Sequence, residues 1–155
     1  MYFIDSSALV KAYVTEVGTP TVVGALDRLS GTVYVSSVVV LETAAALARW
    51  RRTYQVRQKL YAKARDTFLA HCQTRFHVVH PPAGVVSTAL RMIDKYHERG
   101  AGGLDLLHIA TAEHIRSLLP GGKISFMCSD QSLRSVAEER GFTVFDPERD
   151  SLTAL

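Results

Sequence analysis

The chain has 155 residues, 47% of them hydrophobic and 21% charged, a composition that excludes intrinsic disorder and supports one hydrophobic core without a disulfide or metal staple. A multidomain enzyme is not expected at this length. The net charge of +3 permits a phosphate-bearing partner without requiring one, although 13 Arg against 5 Lys favours the planar side chain that matches phosphate bidentately.

Short β-branched or aromatic runs alternate with longer helical patterns, which predicts an α/β domain with a parallel sheet covered by helices. In chain order the predicted strands are Tyr2 to Ile4, Val33 to Val35, Phe76 to Val79, Ile124 to Met127 and Thr143 to Phe145. Helices are predicted near residues 6–14, 20–29, 37–51, 55–73, 83–99, 104–118 and 131–140. Thr19-Pro20 reads as an N-cap followed by proline at the first helical position, and Arg140-Gly141 as a helix end. The segment from Asp146 to Leu155 is expected to fray or pack loosely. No run approaches the roughly 20 apolar residues of a membrane helix, and Met1 to Asp5 lacks the basic and apolar regions of a signal peptide, so a cytoplasmic protein without membrane contact is expected. Cys72 and Cys128 have no metal-ligand spacing and read as small buried hydrophobes.

Four carboxylates stand in apolar surroundings. Asp5 ends Tyr2-Phe3-Ile4, Glu42 interrupts Val38-Val39-Val40-Leu41 and Ala44-Ala45-Ala46, Asp105 lies in Leu104-Asp105-Leu106-Leu107, and Asp130 follows Phe126-Met127-Cys128-Ser129. The other eleven acids mostly have polar neighbours and read as solvated surface. An ionised carboxylate in an apolar environment costs several kcal/mol unless it is paired or bound to a cation. In an open parallel sheet, functional groups gather outside the carboxyl ends of the strands where strand order reverses, and all four acids can converge there. Oxygen donors select a hard divalent cation, Mg²⁺ or Mn²⁺, over zinc. Each acid also has a plainer reading: Asp5 and Asp130 as helix N-caps, Asp105 as a favourable charge at a helix N-terminus. Glu42 caps nothing and has alanine, not a base, four residues on.

The ordered set Phe3-Ile4-Asp5-Ser6-Ser7-Ala8-Leu9-Val10, Ser36-Ser37 through Glu42, Leu104-Asp105-Leu106-Leu107-His108-Ile109-Ala110 and Ser129-Asp130-Gln131-Ser132-Leu133 resembles PIN-domain proteins, and more closely the VapC-type toxins of toxin–antitoxin pairs. That resemblance implies a three-layer fold with a five-stranded parallel sheet and about seven helices, one domain over 1–147 with a projecting helical hairpin near 37–73, and a tail over 148–155. It further implies a Mg²⁺- or Mn²⁺-dependent endoribonuclease acting on transfer or ribosomal RNA. Asp5, Glu42, Asp105 and Asp130 would hold the metal, and Ser7 and Ser129 would support them through their hydroxyls. The implied partners are a cognate antitoxin, whose basic side chain enters the acidic pocket, and a second copy of the chain in a homodimer. An RNA-processing or structure-specific DNA nuclease of the same type, without an antitoxin, is the alternative.

Seven basic residues between Arg49 and Arg65 are unbroken by an acid, with Trp50, Tyr54 and Tyr61 interleaved. Arg49, Arg52, Arg57, Lys59 and Lys63 are candidate RNA contacts, against the reading of a solvated hairpin whose aromatics belong to the core. His108 shares a helix side with Asp105, three residues away; a hydrogen-bonded core histidine is favoured over a substrate contact. A phosphoacceptor domain would want paired acids early in the chain and a lysine after a late strand, whereas Asp5 is followed by serines and Lys123 precedes its strand. A non-catalytic RNA-binding module leaves the four acids unexplained.

Overall fold

Short strands and longer helices alternate as the sequence predicts in the computed structural model, which describes residues 1–155 apart from the side chain of Ala154. The elements are β1 (Tyr2–Ile4), α1 (Ser6–Leu9), α2 (Thr19–Arg28), β2 (Val33–Ser36), α3 (Ser37–Thr53), α4 (Gln58–Thr74), β3 (Phe76–Val79), α5 (Ala83–Tyr96), α6 (Gly103–Leu118), β4 (Ser125–Met127), α7 (Gln131–Glu139) and β5 (Val144–Phe145). The sheet has five strands in the order β3-β2-β1-β4-β5, and every pairing is parallel.

Parallel strands joined by right-handed crossovers carry helices on both faces. The steps from β1 to β2 and on to β3 run one way across the sheet and put α1 to α4 on one face, while the return to β4 and β5 puts α5 to α7 on the other. Observed neighbours agree: α3 packs on α1 and α4, and α6 on α5 and α7. The central strands are covered on both sides, so Phe3, Ile4, Val35, Phe126 and Met127 are all buried, and Phe3 stacks on Phe126 with ring centroids 5.3 Å apart. Fully buried apolar side chains of this size contribute roughly 1.5–3 kcal/mol each.

Several sequence expectations are corrected. Thr19 is the first residue of α2 and not its cap, which is Gly18 at φ +87°. The Thr19 hydroxyl instead accepts from the Glu16 N–H and donates to the Val14 carbonyl, closing the loop before the helix. Ile124 and Thr143 lie just outside their strands. The helix predicted over 6–14 stops at Leu9 and tightens into a 3₁₀ turn over Val10–Ala12, and that over 83–99 stops at Tyr96 before a 3₁₀ turn over His97–Arg99. The hairpin turn extends to Arg57, with Gln55 at φ +50°. Gly141 closes α7 at φ +77°, as expected.

The C-terminal segment is tied down rather than loose. Lys11, almost fully buried, forms ion pairs with Glu148 at 2.7 Å and Glu16 at 3.2 Å, and Arg28 donates to the Leu152 carbonyl. Asp146, read as one of the solvated acids, is buried against Arg134 at 2.5 Å. Burial of Lys11 works against its charge, yet the two carboxylates more than offset this and hold its pKa above the usual lysine value.

Candidate active site

The strand order places β1 beside β4 at the centre of the sheet, with Ile4 registered against Met127. Crossovers leave these two strands in opposite directions, so their carboxyl ends form the crevice where such sheets collect functional groups. Asp5 leaves β1 there, its N–H donating to the Met127 carbonyl at 2.9 Å. Ser129 and Asp130 leave β4 beside it, and the Ser129 N–H donates to the Ser7 hydroxyl at 3.0 Å. Ser36 ends β2 and at once caps α3, its hydroxyl accepting from the Val39 N–H at 3.0 Å. With no intervening loop, Glu42 falls in the second turn of α3.

Each of the four acids is held through one oxygen. The Ser7 N–H donates to Asp5 Oδ2 at 2.9 Å, Gly102 N–H to Asp105 Oδ2 at 2.7 Å, Leu133 N–H to Asp130 Oδ1 at 2.8 Å, and His108 Nε2 to Glu42 Oε2 at 2.6 Å. For the three aspartates these are helix-capping bonds, so the plainer reading of each is correct as far as it goes. Capping engages only one oxygen; the second oxygen of each aspartate accepts no hydrogen bond among the described residues.

The structure brings the acids together unequally. Asp5, Glu42 and His108 offer ligand atoms within 4.8 Å of one another, while Asp105 and Asp130 stand outside that group. Asp5 is 3% exposed, Glu42 and Asp105 are half-buried, and Asp130 is exposed. Asp105 still senses the others: burial first, then repulsion from Asp5 and Asp130, pushes its carboxyl above the usual range against the pull of the Gly102 N–H. The His108 hydrogen bond holds Glu42 below that range despite its partial burial, and Arg49, two turns along the same side of α3, adds to this.

His108 is the residue that sequence reasoning undervalued. It is a buried core histidine, as favoured, but its partner is the site's own Glu42, and its Nε2 lies 3.7 Å from Asp5 Oδ1. Burial works against its protonated form, while Glu42, Asp5 and Asp105 work for it and raise its pKa on balance. The serines also differ from expectation. Ser7 holds Asp5 through its backbone N–H, its hydroxyl accepts from the Ser129 backbone, and the buried Ser129 hydroxyl has no partner among the described residues.

An oxygen-rich donor set in which Asp5 and Glu42 meet without a Lys or Arg ion-pair partner among the described residues suits a hard divalent cation. The two cysteines supply no alternative. Burial pushes the Cys72 thiol up to about 11, and that of the buried Cys128 higher still.

Arg49, Arg52, Arg57, Lys59 and Lys63 are all exposed on α3, α4 and the turn between them. The aromatics divide. Tyr54 is 74% exposed, Trp50 packs against the core, and Tyr61 is capped by the guanidinium groups of Arg51 and Arg65 at 5.2 and 5.7 Å from its ring centre.

Among solved structures, the VapC20 toxin of Mycobacterium tuberculosis, described as cleaving the sarcin-ricin loop, is similar in fold with TM-score 0.66 and 17% identity over 92% of this chain and 97% of its own. VapBC2 of Rickettsia felis, solved bound to a DNA fragment from the promoter, gives 0.64 and 13% over 94% and 97%. FitAB bound to the IR36 DNA fragment gives 0.66 and 18% over 97% and 98%. A comparison with curated protein sequences finds no match. The PIN domain family model matches residues 2–119, a span that includes Asp5, Glu42, Asp105 and His108, and the chain belongs to the PIN domain family.

Proposed function

We propose that this protein is a Mg²⁺- or Mn²⁺-dependent endoribonuclease and the toxin of a toxin–antitoxin pair. One observation carries the reading. Asp5 and Glu42, from different elements, meet at the sheet's switch point with His108 as their sole basic ion-pair partner among the described residues. Two carboxylates drawn together in this way repel unless a cation joins them, and a fold under selection for stability alone would pair them as it pairs Asp146. Membership of the family and likeness in fold to toxins and toxin–antitoxin complexes support the same reading.

Asp5 and Glu42 would hold the cation, with Asp105 and Asp130 supplying charge at its outer side. A bound divalent cation lowers the pKa of water towards neutrality and offsets charge on a phosphodiester. The protein's own part is to keep the free oxygens aimed: helix-capping bonds lock the three aspartates, and His108 locks Glu42. Arg49, on the same side of α3 as Glu42, is placed to meet a phosphate on its way from the basic hairpin to the acids. Transfer or ribosomal RNA is the proposed substrate and a cognate antitoxin with a basic side chain the proposed inhibitor, with a homodimer as the working assembly. No helix among the described residues is long and apolar enough to cross a membrane, and the proposed site of action is the cytoplasm.

The test is RNA cleavage in Mg²⁺, Mn²⁺ or EDTA by the wild type, Asp5→Asn and Asp105→Asn. Cleavage is expected only from the wild type with metal; cleavage that survives EDTA and both substitutions overturns the proposal. Growth arrest on expression, relieved by the gene next to it, tests the toxin role.

A further inference from the structure

His108 Nε2 stands among the atoms able to contact a common cation with Asp5 and Glu42, so distance alone makes it a candidate metal ligand. We infer instead that His108 is a positioning residue: it donates from Nε2 to Glu42, stays off the cation, and thereby keeps the donor set all-oxygen. This rests on the metal-dependent reading above and goes further by assigning His108 its role.

Three observations lead there. The partner of Nε2 is a carboxylate oxygen at 2.6 Å, the length of a strong charge-assisted bond, and a carboxylate only accepts. Nε2 must therefore carry the proton, which leaves no lone pair there for a metal. Second, Nδ1 is buried without a partner among the described residues. Were Nε2 to bind a cation, the proton would move to Nδ1 and become a buried donor with nothing to receive it, at a cost of about 1–3 kcal/mol. A metal-bound histidine nearly always donates its other N–H to a carboxylate, carbonyl or water. For the neutral ring, the tautomer with the proton on Nε2 and Nδ1 as a bare acceptor is the cheaper arrangement. Third, the ring is 1% exposed and packed near Phe3, centroids 6.4 Å apart, so it cannot easily turn to present another edge.

The consequence is chemical selectivity. With imidazole as a ligand the site would favour borderline ions such as Zn²⁺; with His108 turned into a donor, oxygens alone face the ion and Mg²⁺ or Mn²⁺ is preferred. Fixing one oxygen of Glu42 also restricts how its carboxylate can turn.

The experiment measures Mn²⁺ binding by calorimetry to the wild type, His108→Gln and His108→Leu, with the electron spin-echo spectrum of Mn²⁺ bound to the wild type. Expected are affinity weakened about 10–100-fold in His108→Leu, affinity within a few-fold of wild type in His108→Gln, whose amide still donates, and no directly coordinated nitrogen. Nitrogen on the ion, unchanged affinity in His108→Leu, or His108→Gln no better than His108→Leu overturns the inference. Should His108→Leu fail to fold, the spectrum of the unsubstituted protein and the His108→Gln affinity decide. Wild-type protein that binds no Mn²⁺ overturns the metal reading itself and this inference with it, an outcome distinguishable from the others.

Discussion

Asp5 and Asp146 are the two almost fully buried acids among the described residues, 3% and 4% exposed, and each directly follows a strand, β1 or β5. Their surroundings are opposite. Asp146 has Arg134 at 2.5 Å and Arg149 at 3.5 Å on Oδ2, and the Glu148 N–H on Oδ1 at 3.0 Å. Asp5 has one backbone N–H on Oδ2 and, among the described residues, His108 as its one ion-pair partner, 3.7 Å from Oδ1. Equal burial thus hides two kinds of site. The Asp146 charge is answered from within the chain and joins α7 to the C-terminal segment; the Asp5 charge has no Lys or Arg partner among the described residues, which is the gap the proposed cation would fill.

The contrast is sharpest under substitution. Arg134→Met removes the main answer to the Asp146 charge, and breaking a buried pair from one side costs about 3–5 kcal/mol. In a domain of this size that lowers the Tm by roughly 10 °C or more. Adding Asp146→Asn to the same chain should recover part of the loss, because the stranded charge goes too. Calorimetry on the two variants checks this, and a double variant no more stable than Arg134→Met would mean the pair's charges are not what holds the segment.

Asp5→Asn should do the reverse. Metal-stimulated RNA cleavage falls on the order of 10²–10³-fold, the loss typical of one electrostatic group in an active site, while the Tm without metal stays level, since the Asn carbonyl still accepts from the Ser7 N–H. A Tm loss as large as that of Arg134→Met would make Asp5 a structural acid like Asp146.

The sequence carried the architecture because the signals were local: β-branched and aromatic triplets for strands, apolar periodicity for helices, Gly141 for a helix end. It singled out the four candidate acids because charge inside an apolar run is conspicuous at single-residue resolution. Local pattern could not show that Asp146 is buried like Asp5. The neighbours Phe145 and Pro147 of Asp146 are as apolar as those of Asp5, but Asp146 lies within Asp146-Pro147-Glu148-Arg149-Asp150, and its answering Arg134 comes from twelve residues back. His108 was ambiguous for a related reason. Its spacing from Asp105 was visible, but its partner Glu42 is 66 residues away and meets it only once α3 and α6 pack.

Asp105 offers a smaller test of the same contrast. Its carboxyl is raised by burial and by the charges of Asp5 and Asp130. A carboxyl whose folded pKa lies above its unfolded one takes stability from the fold as pH rises through those values, and the loss is complete once pH is above the folded value. Asp105→Asn keeps an acceptor for the Gly102 N–H while removing the repulsion. The expected result is a Tm a few degrees higher at neutral pH without metal, a gap that closes towards pH 4, together with lost cleavage. An unchanged or lower Tm would mean that the three aspartates do not repel one another enough to need a cation.

The basic hairpin extends the comparison to cations left unanswered. Arg51 and Arg65 already cover the Tyr61 ring, and Arg65 also pairs with Asp66 at 2.9 Å. Arg52 and Lys59 are exposed and have no carboxylate partner among the described residues, which leaves them free for phosphate. A side chain that neutralises one phosphate of a single strand contributes about 0.7 to the slope of log affinity against log salt. Replacing Arg52 and Lys59 with alanine in the Asp5→Asn background, where bound RNA stays uncut, should therefore reduce that slope by about 1.4. Replacing Arg51 and Arg65 should reduce it less, since their charge is partly engaged on the ring and on Asp66. Fluorescence anisotropy across a salt series measures both. Equal effects from the two pairs would mean that RNA sees the hairpin as a diffuse field, and no effect from either would remove the hairpin from the binding surface while leaving the acid pocket as proposed.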